Sequence, residues 1–127
     1  MITYNSDKKI TVEQFKQVLN QSTLGERRPI DDEPRLQTML DHAGILITAW
    51  DGERLVGLGN AISDGYLVVY YPHLVVHPEY QGNGIGTEIV KSLQRKYHDF
   101  HQQSIIADGK AIEFYKKSGF VEAGSCQ

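Results

Sequence analysis

The spacing of apolar residues alternates between helical and strand periods along the chain, and the changes divide it into elements. Ile2 to Tyr4 reads as a short strand. Val12, Phe15, Val18 and Leu19 then fall on one face behind Thr11 and Gln14, which are spaced as a capping box, so a helix is predicted from Thr11 to about Ser22. Thr23 to Ile30 is polar and basic and reads as a loop. Asp32-Glu33-Pro34 opens a second helix, with Leu36, Met39, Leu40 and Ala43 on one stripe and Gly44 at its stop. Ile45 to Trp50 and Arg54 to Ile62 are strand-like runs joined by Asp51-Gly52, which predicts an antiparallel hairpin.

A turn at Ser63-Asp64-Gly65 leads into Tyr66 to Val76, read as one strand interrupted by Pro72. Proline cannot donate to a ladder, so a bulge or an unpaired position is expected there. Ile85, Ile89, Val90, Leu93 and Tyr97 share one side of a third helix, and Ser104 to Asp108 forms the next strand. Such a strand-helix-strand crossover makes the two strands parallel and right-handed, with ligand at the carboxyl end of the first. A short helix from Ala111 to Ser118 stops at Gly119, and Phe120 to Ala123 begins a last strand. The fold class is mixed α/β in one domain over residues 1–127, without internal repeats or low-complexity tracts.

Composition narrows the function classes. Among 127 residues, 16 acids against 13 bases give a net charge of −3, so no global field attracts nucleic acid or an anionic membrane. Cys126 is the only cysteine, which excludes an intramolecular disulfide and favours a cytoplasmic location. The N-terminus lacks the apolar core of a signal peptide, and no run approaches the ~20 apolar residues of a membrane span. His73 and His77 share a strand parity but have no evident third ligand, so no metal is expected, while His42, His98 and His101 read as helix-end residues.

The chemistry concentrates at Gln81-Gly82-Asn83-Gly84-Ile85-Gly86, between the apolar run Leu74-Val75-Val76 and the third helix. Glycines let backbone N–H groups converge on one anion, and the helix start adds unpaired donors and the positive end of its dipole. A diphosphate fits such a turn. The dinucleotide pattern G-x-G-x-x-G fails, because Thr87 or Ile89 occupies the third glycine place. The triphosphatase loop fails too, because Gly86 is followed by Thr87-Glu88 instead of a lysine and a hydroxyl residue. Lys91 and Arg95, four apart on the helix, either approach the phosphates or form a solvated face.

Val76-His77-Pro78-Glu79-Tyr80-Gln81-Gly82-Asn83-Gly84-Ile85-Gly86 resembles the acyl-CoA diphosphate motif of the GNAT acetyltransferases. Downstream, Ala111-Ile112-Glu113-Phe114-Tyr115-Lys116-Lys117-Ser118-Gly119-Phe120 is similar to the family's A-x-x-F-Y-x-x-x-G-F helix and turn. The resemblance implies a central, mostly antiparallel twisted sheet with a splayed parallel strand pair, flanked by about four helices. It implies acetyl-CoA as co-substrate, held by Leu74, Val75, Val76, Gln81, Gly82, Asn83, Gly84, Ile85, Gly86, Thr87, Ala111 and Phe114. Backbone groups near Val75 and Val76 would pair with pantetheine and meet the oxyanion.

By the same resemblance Tyr115 is the general acid that protonates the departing thiolate, since a phenol keeps its proton at neutral pH. The acceptor is a small-molecule or peptide amine, which must be neutral to attack. His73 is the candidate base, with Tyr70 and Asp64 nearby in sequence; where the family often has Asn, this chain has Asp108. Seven residues follow Phe120, which leaves two alternatives, an open acceptor site or one completed by a partner subunit in a homodimer. A different class of function is a non-catalytic acyl-CoA-binding regulatory module. Thiol release promoted by amines separates the two.

Overall fold

The computed structural model describes residues 1–7, 9–19, 31–100, 102–105 and 110–121, without the side chains of 110 and 111. Among them are six strands and four helices: β1 (Ile2–Asn5), α1 (Val12–Leu19), α2 (Glu33–Asp41), β2 (Ile45–Asp51), β3 (Arg54–Ser63), β4 (Val68–Tyr70), β5 (Leu74–Val76), α3 (Ile85–Lys96), β6 (Gln102–Ser104) and α4 (Lys110–Lys117). The sheet runs β1-β2-β3-β4-β6, with β5 also on β3, and every pair is antiparallel except β4 with β6. The predicted loop at Thr23 to Ile30 lies outside the described residues, as do Asp108, Cys126 and His101.

Local signals place the helix starts. Thr11 N–H donates to Gln14 Oε1 (3.0 Å) and Gln14 N–H donates to Thr11 Oγ1 (3.1 Å), the two reciprocal bonds of a capping box. Asp32 caps α2 by accepting from Arg35 N–H at 3.1 Å. The Asp51-Gly52 turn joins β2 to β3 as read.

Packing covers the sheet on both faces. Phe15, Val18, Leu19 and Leu36 from α1 and α2 meet Trp50, Leu55, Leu58 and Val75 on one side. Ile85, Ile89 and Leu93 from α3 meet Ile47, Ala49, Val56, Ala61 and Val69 on the other. Leu55 to Ala61 of β3 is therefore buried without a break, which explains its continuous run of non-charged residues. Gly59 lets α3 lie close, since a Cβ there would stand 2.6 Å from Ile89 Cγ2.

The run read as one strand from Tyr66 to Val76 is two. Ile62 pairs with Tyr70 and Gly59 with Leu74, so Asn60 and Ala61 of β3 are opposed by three residues, Tyr71, Pro72 and His73. This is the bulge that Pro72 predicts. Asn60, 1% exposed, fastens it: its N–H donates to the His73 carbonyl (3.1 Å), its Oδ1 accepts from His73 N–H (3.1 Å), and its Nδ2 donates to the Ala43 carbonyl (2.6 Å). Tyr66 and Leu67 belong instead to a turn in which Asp64 Oδ1 accepts the N–H groups of Tyr66, Leu67 and Val68, holding that carboxyl below its ordinary range.

Two further readings shift. The strand predicted from Ser104 occupies Gln102–Ser104, and residues 106–108 lie outside the described ones. Phe120 and Val121 carry no strand, and 122–127 are not described.

Candidate active site

The bulge separates the two strands on which the site depends. Pairing of the β4 side with β6 continues to Tyr71, whose N–H donates to the Ser104 carbonyl at 3.0 Å, and β5 then pairs with β3 alone among the described residues. Among the described residues the other edge of β5 is unpaired.

Register decides which groups line that edge. Asn60 N–H reaches the His73 carbonyl, and His77 N–H reaches the Val56 carbonyl at 2.8 Å. In an antiparallel ladder such residues alternate, so the backbone groups of His73, Val75 and His77 point at β3, whereas those of Leu74 and Val76 point at the open edge. Val75, expected beside Val76 as a backbone partner, is spent on β3 and its side chain is buried in the core. At that edge stands Leu74.

A cleft of about 530 Å³ opens there, lined by Leu74, Val76, Tyr80, Gln81, Gly82, Gly84, Ile85, Gly86, Thr87, Phe114 and Tyr115. No side chain in this lining is charged among the described residues, so there an anion at its mouth meets backbone N–H groups and the neutral donors of Tyr80, Gln81 and Thr87. Gly84 is the N-cap of α3, has φ 80°, and provides no side-chain cap. The first N–H groups of α3 therefore keep their donors for a ligand. Gly82 (φ 84°) and Gly84 both need the left-handed region, and a Cβ on either would meet nothing within 4 Å, so the cradle is open space. Gly86 does not share this need. Its φ is not positive, and a Cβ there would lie 3.4 Å from Phe114 Cζ and 3.5 Å from Val76 Cγ2, inside the cleft.

Other expected residues support the loop from behind. Gln81 Nε2 donates to the Val76 carbonyl at 3.1 Å, and Asn83 Nδ2 donates to the Tyr80 carbonyl at 3.1 Å and turns away from the cleft lining. Tyr80, which sequence reasoning passed over, lines the cleft; its aromatic side chain within the motif was the available signal. Arg95 pairs with Glu88 at 3.2 Å on an exposed face, and neither it nor Lys91 is in the lining.

Tyr115 is placed by the turn that follows it. Phe120 N–H donates to the Tyr115 carbonyl (3.1 Å) and Gly119 N–H to the Lys116 carbonyl (3.1 Å), with Gly119 at φ 99°, a full Schellman motif. Its hydrophobic contact is Phe120 against Tyr115, edge to face at 5.9 Å, and Phe114 flanks the ring at 5.1 Å. The Gly-Phe ending of the second block thus has a structural job, orienting the tyrosine. Tyr115 is 9% exposed, its hydroxyl makes no hydrogen bond among the described residues, and desolvation pushes its pKa up to about 12.

Behind Tyr115 lies a cavity of about 10 Å³ lined by Tyr71, His73, Leu74, Val90, Leu93, Ile105, Tyr115 and Phe120. It shares Leu74 and Tyr115 with the cleft. His73 lines this cavity and packs its ring edge-on against Phe15 at 6.4 Å, on the α1 side of the sheet. Among the described residues no group of three His, Cys, Asp or Glu is arranged to hold a metal, and no helix is long and apolar enough to cross a membrane.

Residues 5–127 match the family model described as "Acetyltransferase (GNAT) domain". The chain belongs to the GNAT acetyltransferase family.

Its fold agrees: a GNAT family acetyltransferase of Streptococcus pneumoniae TIGR4 superposes with a TM-score of 0.82 at 25% identity, covering 100% of this chain and 94% of that one. A predicted acetyltransferase of Clostridium acetobutylicum, solved with acetyl-CoA, has the same fold at 16% identity, with a TM-score of 0.75 over 100% of this chain and 94% of that one. Among curated proteins, the uncharacterized N-acetyltransferase ycf52 of Gracilaria tenuistipitata var. liui is 32% identical over 69 residues, 53% of this chain but 38% of that protein. Coverage of two other curated N-acetyltransferases is 30 and 57% of their length.

Proposed function

We propose that this GNAT domain transfers an acetyl group from acetyl-CoA to a primary amine of a small molecule or peptide, by direct attack in a ternary complex. The observation that carries the reading is Tyr115, protonated and without a hydrogen-bond partner among the described residues, at the junction of the cleft and a small apolar cavity. Acetyl-CoA supplies the activated thioester.

The N–H groups of the glycine turn and of the first turn of α3 meet the diphosphate. The open-edge backbone groups of Leu74 and Val76 pair with the pantetheine amides in the manner of an added strand. One of these N–H groups faces the carbonyl oxygen as it takes up negative charge when the amine nitrogen bonds to the carbonyl carbon. As the carbon–sulfur bond breaks, the Tyr115 hydroxyl gives its proton to the sulfur. An acid with a pKa of about 12 keeps that proton at neutral pH. A cavity of about 10 Å³ behind the ring has room for roughly one water-sized group, which supports acetyl over longer acyl chains.

A lysine-like amine is only about one part in two thousand neutral at pH 7, so a base or a water relay must take its proton. His73 is the candidate base: it borders the cavity behind Tyr115, with its ring packed against Phe15. The test is CoA-thiol release from acetyl-CoA across a panel of amines. Amine-dependent release is expected, with Tyr115→Phe lowering kcat about 10²-fold while the KM for acetyl-CoA stays near wild type. CoA binding without release for any amine would instead indicate the acyl-CoA-binding module, and equal kcat in the variant would remove Tyr115 as the acid.

A further inference from the structure

The glycine turn itself has few side-chain contacts, so something else must hold it in place. Between β5 and that turn stands a single helical turn, Pro78–Tyr80, and three residues tie it to the β2–β3 hairpin. His77, 6% exposed, caps it: Nδ1 accepts the Glu79 N–H at 3.2 Å. With Nδ1 accepting, the single proton of a neutral imidazole sits on Nε2, which rests 3.3 Å from Arg54 Nη2 as a contact between two donors.

Arg54 is held there by other bonds. Its Nη2 pairs with Glu79 Oε2 at 3.4 Å, and its guanidinium lies over the Tyr80 ring, 5.4 Å from the centroid. Tyr80 in turn donates its hydroxyl to Asp51 Oδ2 at 2.5 Å and packs edge-on against His77 at 6.1 Å. Asp51 and Arg54 lie on either side of the hairpin turn, so Glu79 and Tyr80 of the short helical turn are both fastened to that hairpin.

We propose that His77 is a positioning residue for acyl-CoA: its imidazole caps the turn that aims Gln81 to Gly86 at the diphosphate, with Arg54 strapping that turn to the hairpin through Glu79 and the Tyr80 ring. This rests on reading the cleft as the acyl-CoA site. A ligand held by backbone donors gains most when those donors are already in place, because ordering the turn then costs nothing at binding. His77 touches no reacting atom, so its loss should change affinity and leave the chemical step alone.

The test compares His77→Leu, which fills the space without an acceptor, with His77→Asn, whose side-chain carbonyl can accept the Glu79 N–H. Acetyl-CoA affinity, kcat and amide hydrogen exchange across 78–86 are measured for both and for wild type, each with its melting temperature. For His77→Leu we expect affinity about five- to tenfold weaker, the loss of one cap, with kcat at the wild-type level and faster exchange in the loop without ligand. His77→Asn should restore both affinity and exchange to within about twofold.

Wild-type exchange in His77→Leu, or an equal defect in His77→Asn, would overturn the proposal. Loop exchange needs no ligand, so it judges the brace by itself. Failure of CoA to protect the wild-type loop would overturn the acyl-CoA reading and the positioning role together, even with the brace intact. Arg54→Met, which keeps the stem and removes the Glu79 pair, should give a smaller shift in the same direction; no shift would remove Arg54 from the brace.

Discussion

Gly84 and Gly86 sit two residues apart in the same turn, and the structure assigns them opposite roles. Replacing Gly84 with alanine places a Cβ in open space, so the cost is purely conformational. Holding an L-residue at φ 80° costs about 1–2 kcal/mol. At roughly 3–5 °C per kcal/mol for a domain of this size, the melting temperature should fall by about 3–10 °C. Gly86→Ala meets neither problem. Its φ is not positive, its Cβ makes ordinary contacts at 3.4 and 3.5 Å, and alanine in a helix is favoured over glycine by about 0.5–1 kcal/mol.

The order reverses with ligand. A methyl on Gly86 stands between Phe114 and Val76 in the cleft, where acyl-CoA is proposed to lie. At a CoA concentration of 100 Kd, binding stabilises wild type by about 2.7 kcal/mol. A tenfold weaker variant keeps about 1.4 kcal/mol at the same concentration, so the ligand-induced rise in Tm should be roughly halved. The assay is a thermal melt of wild type and both variants with and without CoA. Equal Tm losses for the two variants would refute the backbone argument, and a full ligand shift in Gly86→Ala would remove the methyl from the ligand's path.

Three further outcomes follow from burial, hydrogen bonding and cavity size. Burial raises the pKa values of Tyr115 and Tyr71 from 10.0 to about 12, so well below pH 10 both residues are neutral in folded and unfolded chains alike. Stability should then fall as pH rises from about 10 through about 12, less steeply in Tyr115→Phe, as read by denaturant midpoints across that range. Asn60→Ala leaves the His73 N–H and the Ala43 carbonyl without their partner at a buried site, which should cost about 2–4 kcal/mol by urea unfolding; a loss below about 1 kcal/mol would mean the bulge does not depend on it. With butyryl-CoA in place of acetyl-CoA, the small cavity predicts a lower kcat/KM, and Leu93→Ala should narrow the gap by enlarging that cavity.

Much of the fold and half of the site can be read in the residues themselves, because the signals are local. The Thr11 and Gln14 capping box, the Asp51-Gly52 hairpin and the α3 stripe each depend on neighbours within a few positions, and each forms where periodicity puts it. The glycine turn and the Gly119-Phe120 stop are local too, so the anion cradle and the residues around Tyr115 are legible from spacing. Sequence also announces a disruption at Pro72. It cannot say what the disruption does.

That depended on contacts between distant segments. Whether Val75 or Leu74 faces the open edge is a matter of register, fixed by pairing with β3 across a bulge that Asn60 fastens. A one-residue slip there would exchange the two roles, and no pattern within Leu74-Val75-Val76 records which register holds. The brace behind His77 likewise joins residues more than twenty positions apart, Arg54 to Glu79 and Asp51 to Tyr80, and Gly86 separates from Gly82 and Gly84 only once Phe114 and Val76 stand on either side of it. Sequence determined the elements and the chemistry they carry, through interactions short in chain distance; the tertiary structure decided which atoms face the cleft, because strand register and long-range packing set direction and no single segment contains them.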